Sequence, residues 1–179
     1  MLLKDVLFIV ALLLKSMYLR DENIDRTTWM QGDILVDFNC PMLIAEGESF
    51  KVIKKKKDII LLSQSCDLQL ERDNNERFIF CPLIKETTLR NNLELEGVPK
   101  EHIKGRMSSF KGNKKIGLLY FPAKNDAEED LFAVLTQITS LEGSVLSNVE
   151  VNTRLSDGGR HYLSDNLHTF FCRAIDLTR

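Results

Sequence analysis

The segment 58–63 reads Asp-Ile-Ile-Leu-Leu-Ser, with four consecutive apolar residues between polar ones. A strand with one solvent-facing side alternates apolar and polar residues, so this unbroken run predicts a strand that is buried on both faces. The chain has 179 residues, 44% hydrophobic and 28% charged, which is the size and balance of about one globular domain. This composition excludes intrinsic disorder, a collagen-like repeat, a polytopic membrane protein and a strongly basic DNA-packing protein.

Short β-rich runs separated by turn signals predict further strands. A Gly-Asp turn precedes a strand at 34–38, which Asn39-Cys40-Pro41 is expected to end because proline interrupts an interior ladder. A second strand at 50–53 is expected to close at the lysine run 54–57. The remaining predicted strands are at 77–81, where Pro82 is expected to limit central pairing, and at 116–121 and 131–135.

Helical patterns occur in two places. Residues 88–94 have helical spacing, Gly97-Val98-Pro99 breaks it, and Pro99 is expected to open a second short helix through 101–104. Ser156-Asp157 is an N-cap signal for a terminal helix. That helix has one apolar stripe, expected to close one face of the sheet: Leu163, Leu167, Phe170, Phe171 and Ala174. The prediction is a mainly β, barrel-like α+β domain at 23–179 with a helical insertion at 85–115.

The N-terminus carries nine apolar residues at 6–14, bounded by Asp5 and Lys15. A membrane-spanning helix needs about 20 such residues, so the run predicts no span. It fits the apolar part of a secretory signal, but Lys4 is followed at once by Asp5 and no small-x-small cleavage site follows. We expect a hydrophobic helix at 1–22 that packs on the domain; a weak signal and an upstream start codon remain alternatives.

Four cysteines, at 40, 66, 81 and 172, are widely spaced without a CxxC pair. Zinc sites use close ligand pairs, so we predict no metal site and no cofactor. Cys81 and Cys172 stand in apolar runs, where a free cysteine is usually a small buried hydrophobe. These features favour a reduced protein in the cytoplasm.

The string Ser63-Gln64-Ser65-Cys66-Asp67 follows the apolar strand, a place where loops present functional groups. Three interpretations are open. The hydroxyl and carboxylate groups satisfy backbone N–H groups in a strand-end turn, or they contact a ligand, or Cys66 is a nucleophile with a distant base. For the last, the candidate bases are His102, His161 and His168. An adjacent carboxylate raises a thiol pKa, which opposes thiolate chemistry at Cys66.

Two stretches are basic. Lys51 and the run 54–57 contribute five positive charges, and residues 100–115 contribute six against Glu101. The second stretch interleaves Met107 and Phe110, a pattern that suits a phosphate backbone; both stretches also fit a solvated loop. The acidic loop 126–130 shows how a net charge of −2 conceals opposed patches, so the overall charge does not exclude RNA.

The segment 156–161 reads Ser-Asp-Gly-Gly-Arg-His. Its glycines give a phosphate access to backbone N–H groups at a helix N-terminus, beside Arg160. The strand, glycine-rich loop and lysine of a P-loop are missing. A simple turn into the last helix explains the same residues.

The order of these pieces resembles the MazF/PemK-type toxins, whose fold is a small SH3-like β-barrel with a closing helix. The resembling segments span about residues 30–175: 32–38 (GDILVDF), 59–63 (IILLS), 80–84 (FCPLI), 134–141 (VLTQITSL) and 154–157 (RLSD). The Ser-Gln-Ser-Cys-Asp string is also similar to one in uncharacterised bacterial and phage proteins.

Family members cut RNA without metal, using an Arg in an Arg-x-Pro segment before the core strand and a Ser or Thr after it. Here 55–58 reads Lys-Lys-Lys-Asp in place of Arg-x-Pro, Ser63 matches the hydroxyl position, and Ile84 stands where a threonine is expected. A lysine stabilises a developing phosphorane as a point charge, without the bidentate fork of arginine.

The resemblance implies an RNA-directed protein of a bacterial toxin–antitoxin or mobile-element system, with a metal-independent endoribonuclease as one form of it. Ser63, Lys57 and Asp67 are then the candidate catalytic residues, with Asp67 as proton acceptor. The candidate substrate-binding residues are Lys56, Gln64, Cys66 and Arg160. The alternative is a non-catalytic module of the same fold that binds a protein or a nucleic acid. RNA, an antitoxin or other protein, and a second copy in a homodimer are the expected partners.

Overall fold

A computed structural model describes residues 17–19, 21–26, 28–47, 49–64, 77–146 and 149–176. Within these ranges the chain is α+β, as predicted, with a mainly antiparallel sheet and three α-helices. The strands are β1 (Asp33–Glu46), β2 (Ser49–Leu61), β3 (Arg77–Lys85), β4 (Leu118–Phe121), β5 (Leu131–Val134), β6 (Thr139–Glu142) and β7 (Thr153–Arg154). The helices are α1 (Glu86–Leu95), α2 (Lys100–Lys111) and α3 (Asp157–Asp176).

The sheet has the order β4-β5-β3-β2-β1-β7, and β6 also pairs with β3. One edge of β3 is shared, because β5 pairs with 83–85 and β6 with 77–80. The 3-10 turn Leu135–Gln137 lies between β5 and β6 and shifts the register by three residues. Pro82 lies within β3 opposite Ile59 of β2, so the strand continues past its predicted end at Cys81. On the other edge, pairing among the described residues is interrupted at 81–82, in keeping with the expected limit on central pairing. The N–H of Ile79 points toward Ser63, on the β2 side of β3. Because successive N–H groups of a strand point to opposite edges, position 82 faces the other edge, between the parts of β3 that pair with β5 and β6. The missing N–H of proline therefore costs no ladder bond there.

The run at 58–63 is buried on both faces of the sheet, as predicted, since Ile59, Ile60 and Leu61 are each 0% exposed. Ile60 belongs to a cluster with Leu163 and Leu167 of α3, so α3 closes that face as predicted. Phe171, which the predicted stripe also included, is instead 51% exposed. Ile59 and Leu61 belong to a second cluster on the opposite face. The remaining buried members of the second cluster are Trp29, Leu35, Phe38, Cys40, Phe78, Phe80, Leu146 and Val151.

The predicted helix–break–helix at 85–115 is confirmed as α1 and α2, and both helices are longer than expected. They pack on each other and on Phe132 of β5 through a third cluster. Met107 and Phe110 are buried in that cluster. The interleaving that suggested contact with a phosphate backbone is instead the apolar face of α2.

Most of the predicted N-terminal helix lies outside the described residues. Its final part is not α-helical, since Tyr18 forms an antiparallel bridge with Leu155 and Asp21–Asn23 is a 3-10 turn. Met17 is buried in the cluster under α3. The Tyr18 hydroxyl donates a 2.8 Å hydrogen bond to the carbonyl of Pro122. Residues 17–19 thus extend the β7 edge.

The outer parts of β1 and β2 form a two-stranded ribbon, residues 39–57. Cys40 at its base is buried in the second cluster, and the part beyond extends past the sheet. In the described residues β3 pairs with β2 only at 58–61, and β7 pairs with β1 only at 33–34. The expected strand ends at Pro41 and at the lysine run 54–57 are therefore wrong. Pro41 lies within β1, opposite Lys54 of β2, and the free edge of β1 tolerates a residue without an N–H. The lysines of β2 alternate between the two faces of the ribbon.

Candidate nucleic-acid interface

A β-bulge marks the base of the ribbon. Two residues of β1, Val36 and Asp37, stand opposite Asp58 of β2, and Asp37 has a φ of +54°. The N–H of Asp37 donates a 3.1 Å hydrogen bond to the Asp58 carboxylate. A bulge bends and twists its strand, and this one lies where the ribbon leaves the paired sheet.

The five ribbon lysines divide between its two faces. Side chains alternate along β2, so Lys51, Lys55 and Lys57 lie on the face that continues from Ile59. Lys54 and Lys56 lie on the opposite face. Set against Glu46 and Glu48, the ribbon has a net charge of +3. It is therefore a cationic surface from both sides.

Few anions neutralise these lysines. The Lys56 ammonium lies 3.8 Å from the Asp37 carboxylate, with side chains 67% and 69% exposed, and such solvated pairs contribute little. Among the described residues no ion pair within 4.0 Å involves any of the other four ribbon lysines. Their charge remains available to an anionic partner.

Two apolar side chains accompany the lysines. Phe50 is 73% exposed and Val52 is 63% exposed, both on the face of Lys54 and Lys56. Sequence reasoning assigned Phe50 to a strand and missed its exposure. The available signal was the four lysines at 54–57, which place charge on both faces of the strand and leave no uniformly apolar face to bury Phe50.

A groove of about 570 Å³ flanks the base of the ribbon. Its lining includes Asp37 and Glu150, the apolar Val145 and Lys54 of the ribbon. The two carboxylates repel phosphate, so the groove itself is unsuited to a nucleic-acid backbone. The other four ribbon lysines are not part of this lining.

The structure does not bring the predicted catalytic residues Lys57 and Ser63 together. Lys57 and Leu61 alone are about 13 Å apart on the usual strand rise, and Ser63 lies beyond Leu61. Ser63 is 7% exposed, and its hydroxyl accepts a 2.6 Å hydrogen bond from the N–H of Ile79. Ser63 therefore joins the end of β2 to β3 through a cross-strand hydrogen bond, whereas the predicted role was to satisfy an N–H group within the strand-end turn. Gln64 follows it as an exposed residue; Cys66 and Asp67 lie outside the described residues.

Arg160 lies at the start of α3 and is engaged within the fold. Its guanidinium forms an ion pair with Asp157 and a 3.5 Å hydrogen bond with the carbonyl of Leu155. Ser156 caps the helix by accepting a 3.2 Å hydrogen bond from the N–H of Gly159. A Cβ at Gly159 would collide with the carbonyl of Met17. This glycine thus makes room for the N-terminal segment, and the turn into the helix explains the motif.

The second basic stretch is partly neutralised. The Lys111 ammonium lies 2.7 Å from the Glu86 carboxylate and 2.5 Å from that of Asp130. Partial burial opposes the charge of Lys111, but these two hydrogen bonds outweigh it and raise its pKa. The Lys115 ammonium stacks 5.0 Å from the Phe110 ring centroid. Lys111 therefore joins α2 to Glu86 of α1 and to Asp130, and its charge is engaged within the fold.

The described cysteines differ in their exposure. Cys172 is exposed, contrary to prediction, and its Sγ lies 3.6 Å from Nε2 of the exposed His168. Cys40 and Cys81 are buried free thiols. In the described part of the chain, no three His, Cys, Asp or Glu residues are grouped as metal ligands. No helix there is both long and apolar enough to cross a membrane.

Comparison of the chain with known protein families and with curated proteins finds no match. The similarity to MazF/PemK-type toxins therefore stays a resemblance. It assigns no role to a residue of this chain. The ribbon's geometry and charge, and the hydrogen bonding of Ser63, carry the functional argument.

Proposed function

We propose that this protein is a nucleic-acid-binding module and that the ribbon is its binding surface. The observation that carries the proposal is the set of five ribbon lysines with a single long ion pair among the described residues. Lysines that contact phosphates release condensed counterions, and this release supplies most of the affinity of sequence-independent binding. A protruding ribbon makes these lysines accessible together.

The proposal favours binding over catalysis because of Ser63. A ribonuclease of the toxin type needs this hydroxyl beside a cation and open to RNA. Here the hydroxyl is buried and bonded to Ile79, while Lys57 lies before the segment 58–61 of β2 that pairs with β3. Both facts support the non-catalytic alternative of the same fold.

The proposal also includes a specific barrel fold and a cellular context. An antiparallel sheet closed on one face by α3 supports an SH3-like barrel of the MazF/PemK type. Such a barrel in a bacterial toxin–antitoxin or mobile-element system would meet RNA or DNA in the cytoplasm. The buried free thiols of Cys40 and Cys81 are compatible with that reducing compartment.

Fluorescence anisotropy with mixed-sequence DNA and RNA tests the proposal. The double variant Lys54→Gln/Lys55→Gln should lose about tenfold or more in affinity at low salt, and the slope of log K against log salt should fall by about 2. The matched control, Lys100→Gln/Lys104→Gln, removes two exposed charges from α2 and should behave as wild type. Absence of binding, or equal effects of the two double variants, would overturn the ribbon as the site.

Catalysis is tested separately by incubating a long mixed-sequence RNA with the protein in excess EDTA and mapping new 5′ ends. Intact RNA is the expected result. Reproducible cuts that disappear in Ser63→Ala, with that variant shown to be folded, would overturn the non-catalytic function. They would restore the endoribonuclease hypothesis despite the missing arginine.

A further inference from the structure

We infer that the ligand of the ribbon is double-stranded B-form DNA, contacted through its major groove; this rests on the proposed nucleic-acid-binding function. The inference uses three properties of the ribbon: its width, the placement of its charges and its aromatic content. The width disfavours duplex RNA, the placement of charges disfavours a ligand laid on one face, and the aromatic content disfavours single strands.

The width of the ribbon fits a DNA groove. It consists of two strands, and in the described residues neither strand has a further partner over 39–57. The major groove of B-DNA is about 12 Å wide and admits a two-stranded ribbon. The segment 49–57 spans about 26 Å at the usual strand rise, long enough to follow the groove past several base pairs. The major groove of A-form RNA is too deep and narrow for such an element.

The placement of the lysines fits a ligand that surrounds the ribbon. Lys51, Lys55 and Lys57 lie on one face, and Lys54 and Lys56 on the other. A ligand laid on one face would leave the opposite lysines unused. The walls of a DNA groove carry phosphates on both strands, so a ribbon within the groove places both sets of lysines near phosphate.

The aromatic content disfavours single strands. Proteins that bind single-stranded nucleic acid without sequence preference stack successive bases on several aromatic side chains. Phe50 is the single aromatic residue in 39–57. One exposed phenyl ring cannot build such a platform, but it provides an apolar contact of the kind made with thymine methyl groups in the major groove.

The test compares four probes of one sequence by fluorescence anisotropy at several salt concentrations: a DNA duplex, the RNA duplex and each single strand. Wild-type protein should bind the DNA duplex about tenfold or more tightly than the other probes. Equal or tighter binding of RNA or single strands, still lowered by Lys54→Gln/Lys55→Gln, would overturn the duplex inference and leave nucleic-acid binding intact. If no probe binds, or that variant has no effect, the proposed function itself fails.

Two further measurements test the geometry. Lys54→Gln/Lys56→Gln and Lys51→Gln/Lys55→Gln each remove charge from one face, and both should weaken duplex binding; an effect of one pair alone would overturn insertion into a groove. Dimethyl sulfate footprinting should show protection of guanine N7, which lies in the major groove. Protection of adenine N3 alone would place the ribbon in the minor groove and overturn the assignment. Circular dichroism confirms that each variant is folded.

Discussion

The Ser63 hydroxyl accepts a 2.6 Å hydrogen bond from the backbone N–H of Ile79, sixteen residues later in the chain. The carbonyl of Ile79 in turn accepts hydrogen bonds from the N–H groups of Leu62 and Ser63, at 2.8 and 3.3 Å. This reciprocal arrangement fixes the end of β2 against β3. Ser63→Ala leaves the Ile79 N–H without its acceptor, so we expect a loss of about 1–3 kcal/mol in the free energy of unfolding.

Urea unfolding followed by circular dichroism measures this loss, with Ser108→Ala on the exposed side of α2 as a control that should change stability by less than about 0.5 kcal/mol. The comparison that decides the role of Ser63 is between the stability of Ser63→Ala and that of wild type. A Ser63→Ala protein as stable as wild type would contradict the structural role. It would return Ser63 to the list of candidate catalytic residues.

Asp33 and Arg154 form a buried bidentate ion pair that joins β1 to β7. Nε of Arg154 donates to Oδ1 of Asp33 at 2.6 Å, and Nη2 donates to Oδ2 at 2.8 Å. The two residues are 0% and 2% exposed. Asp33→Asn leaves a buried guanidinium without its counter-charge, so we expect a loss of about 3–5 kcal/mol in the free energy of unfolding.

Asp157→Asn is the matched control for this pair, because it removes the carboxylate that pairs with Arg160 at an exposed position. Its cost should be below about 1 kcal/mol. Chemical denaturation of the two variants under the same conditions gives both values. Equal costs would show that burial of the Asp33–Arg154 pair does not control its contribution.

The contact between Lys111 and Asp130 predicts a dependence of stability on pH. Partial burial opposes ionisation of Asp130, but hydrogen bonds from Lys111 and from the N–H of Ala123 outweigh it and lower its pKa. A carboxyl whose pKa is lower in the folded state stabilises the fold above its unfolded pKa of about 4, and this contribution is lost as the pH falls. Lys111→Gln should therefore destabilise the protein by about 1 kcal/mol near neutral pH.

The free-energy difference between wild type and Lys111→Gln should shrink as the pH falls below about 4. Denaturation at a series of pH values measures it, with Lys104→Gln, which removes an exposed lysine of the same helix, as control. A difference that stays constant across this range would show that Asp130 is not the group that titrates.

The described cysteines should differ sharply in reactivity. Cys81 is 0% exposed, and burial raises the pKa of its thiol to about 12. Burial also raises the pKa of Cys40. Because the thiolate is the reactive form, iodoacetamide at about pH 8 should modify the exposed Cys172 first and the other two after unfolding. Peptide mass spectrometry over time measures the order, and labelling of Cys81 as fast as Cys172 would contradict the packing.

The sequence predicts those parts of the fold whose causes are local. The apolar run at 58–63 has no polar alternation, so it identifies a strand buried on both faces without reference to its partners. Ser156 precedes a stripe of period 3.6, and its side chain caps α3 as expected. Proline and glycine at 97–99 separate α1 from α2 for reasons contained in those residues.

The parts that the sequence did not predict depend on distant residues. The lysine run at 54–57 has weak strand propensity, and its strand forms because β1 supplies the partner across a long hairpin. The sequence shows the hydroxyl of Ser63, but it does not indicate that the N–H of Ile79 is the donor of its hydrogen bond. Asp33 and Arg154 are 121 residues apart, and nothing near either residue indicates the other.

Phe50 should contribute to nucleic-acid affinity without contributing to its salt dependence. Its ring is 73% exposed and carries no charge, so Phe50→Ala removes an apolar contact and releases no counterion. We expect the affinity for a DNA duplex to fall several-fold, by about 1 kcal/mol, with the slope of log K against log salt unchanged. Leu95→Ala on α1, where the side chain is 86% exposed, is the control and should bind as wild type. A fall in the slope for Phe50→Ala would mean that the substitution displaces the neighbouring lysines, and unchanged affinity would mean that the ring does not meet the DNA.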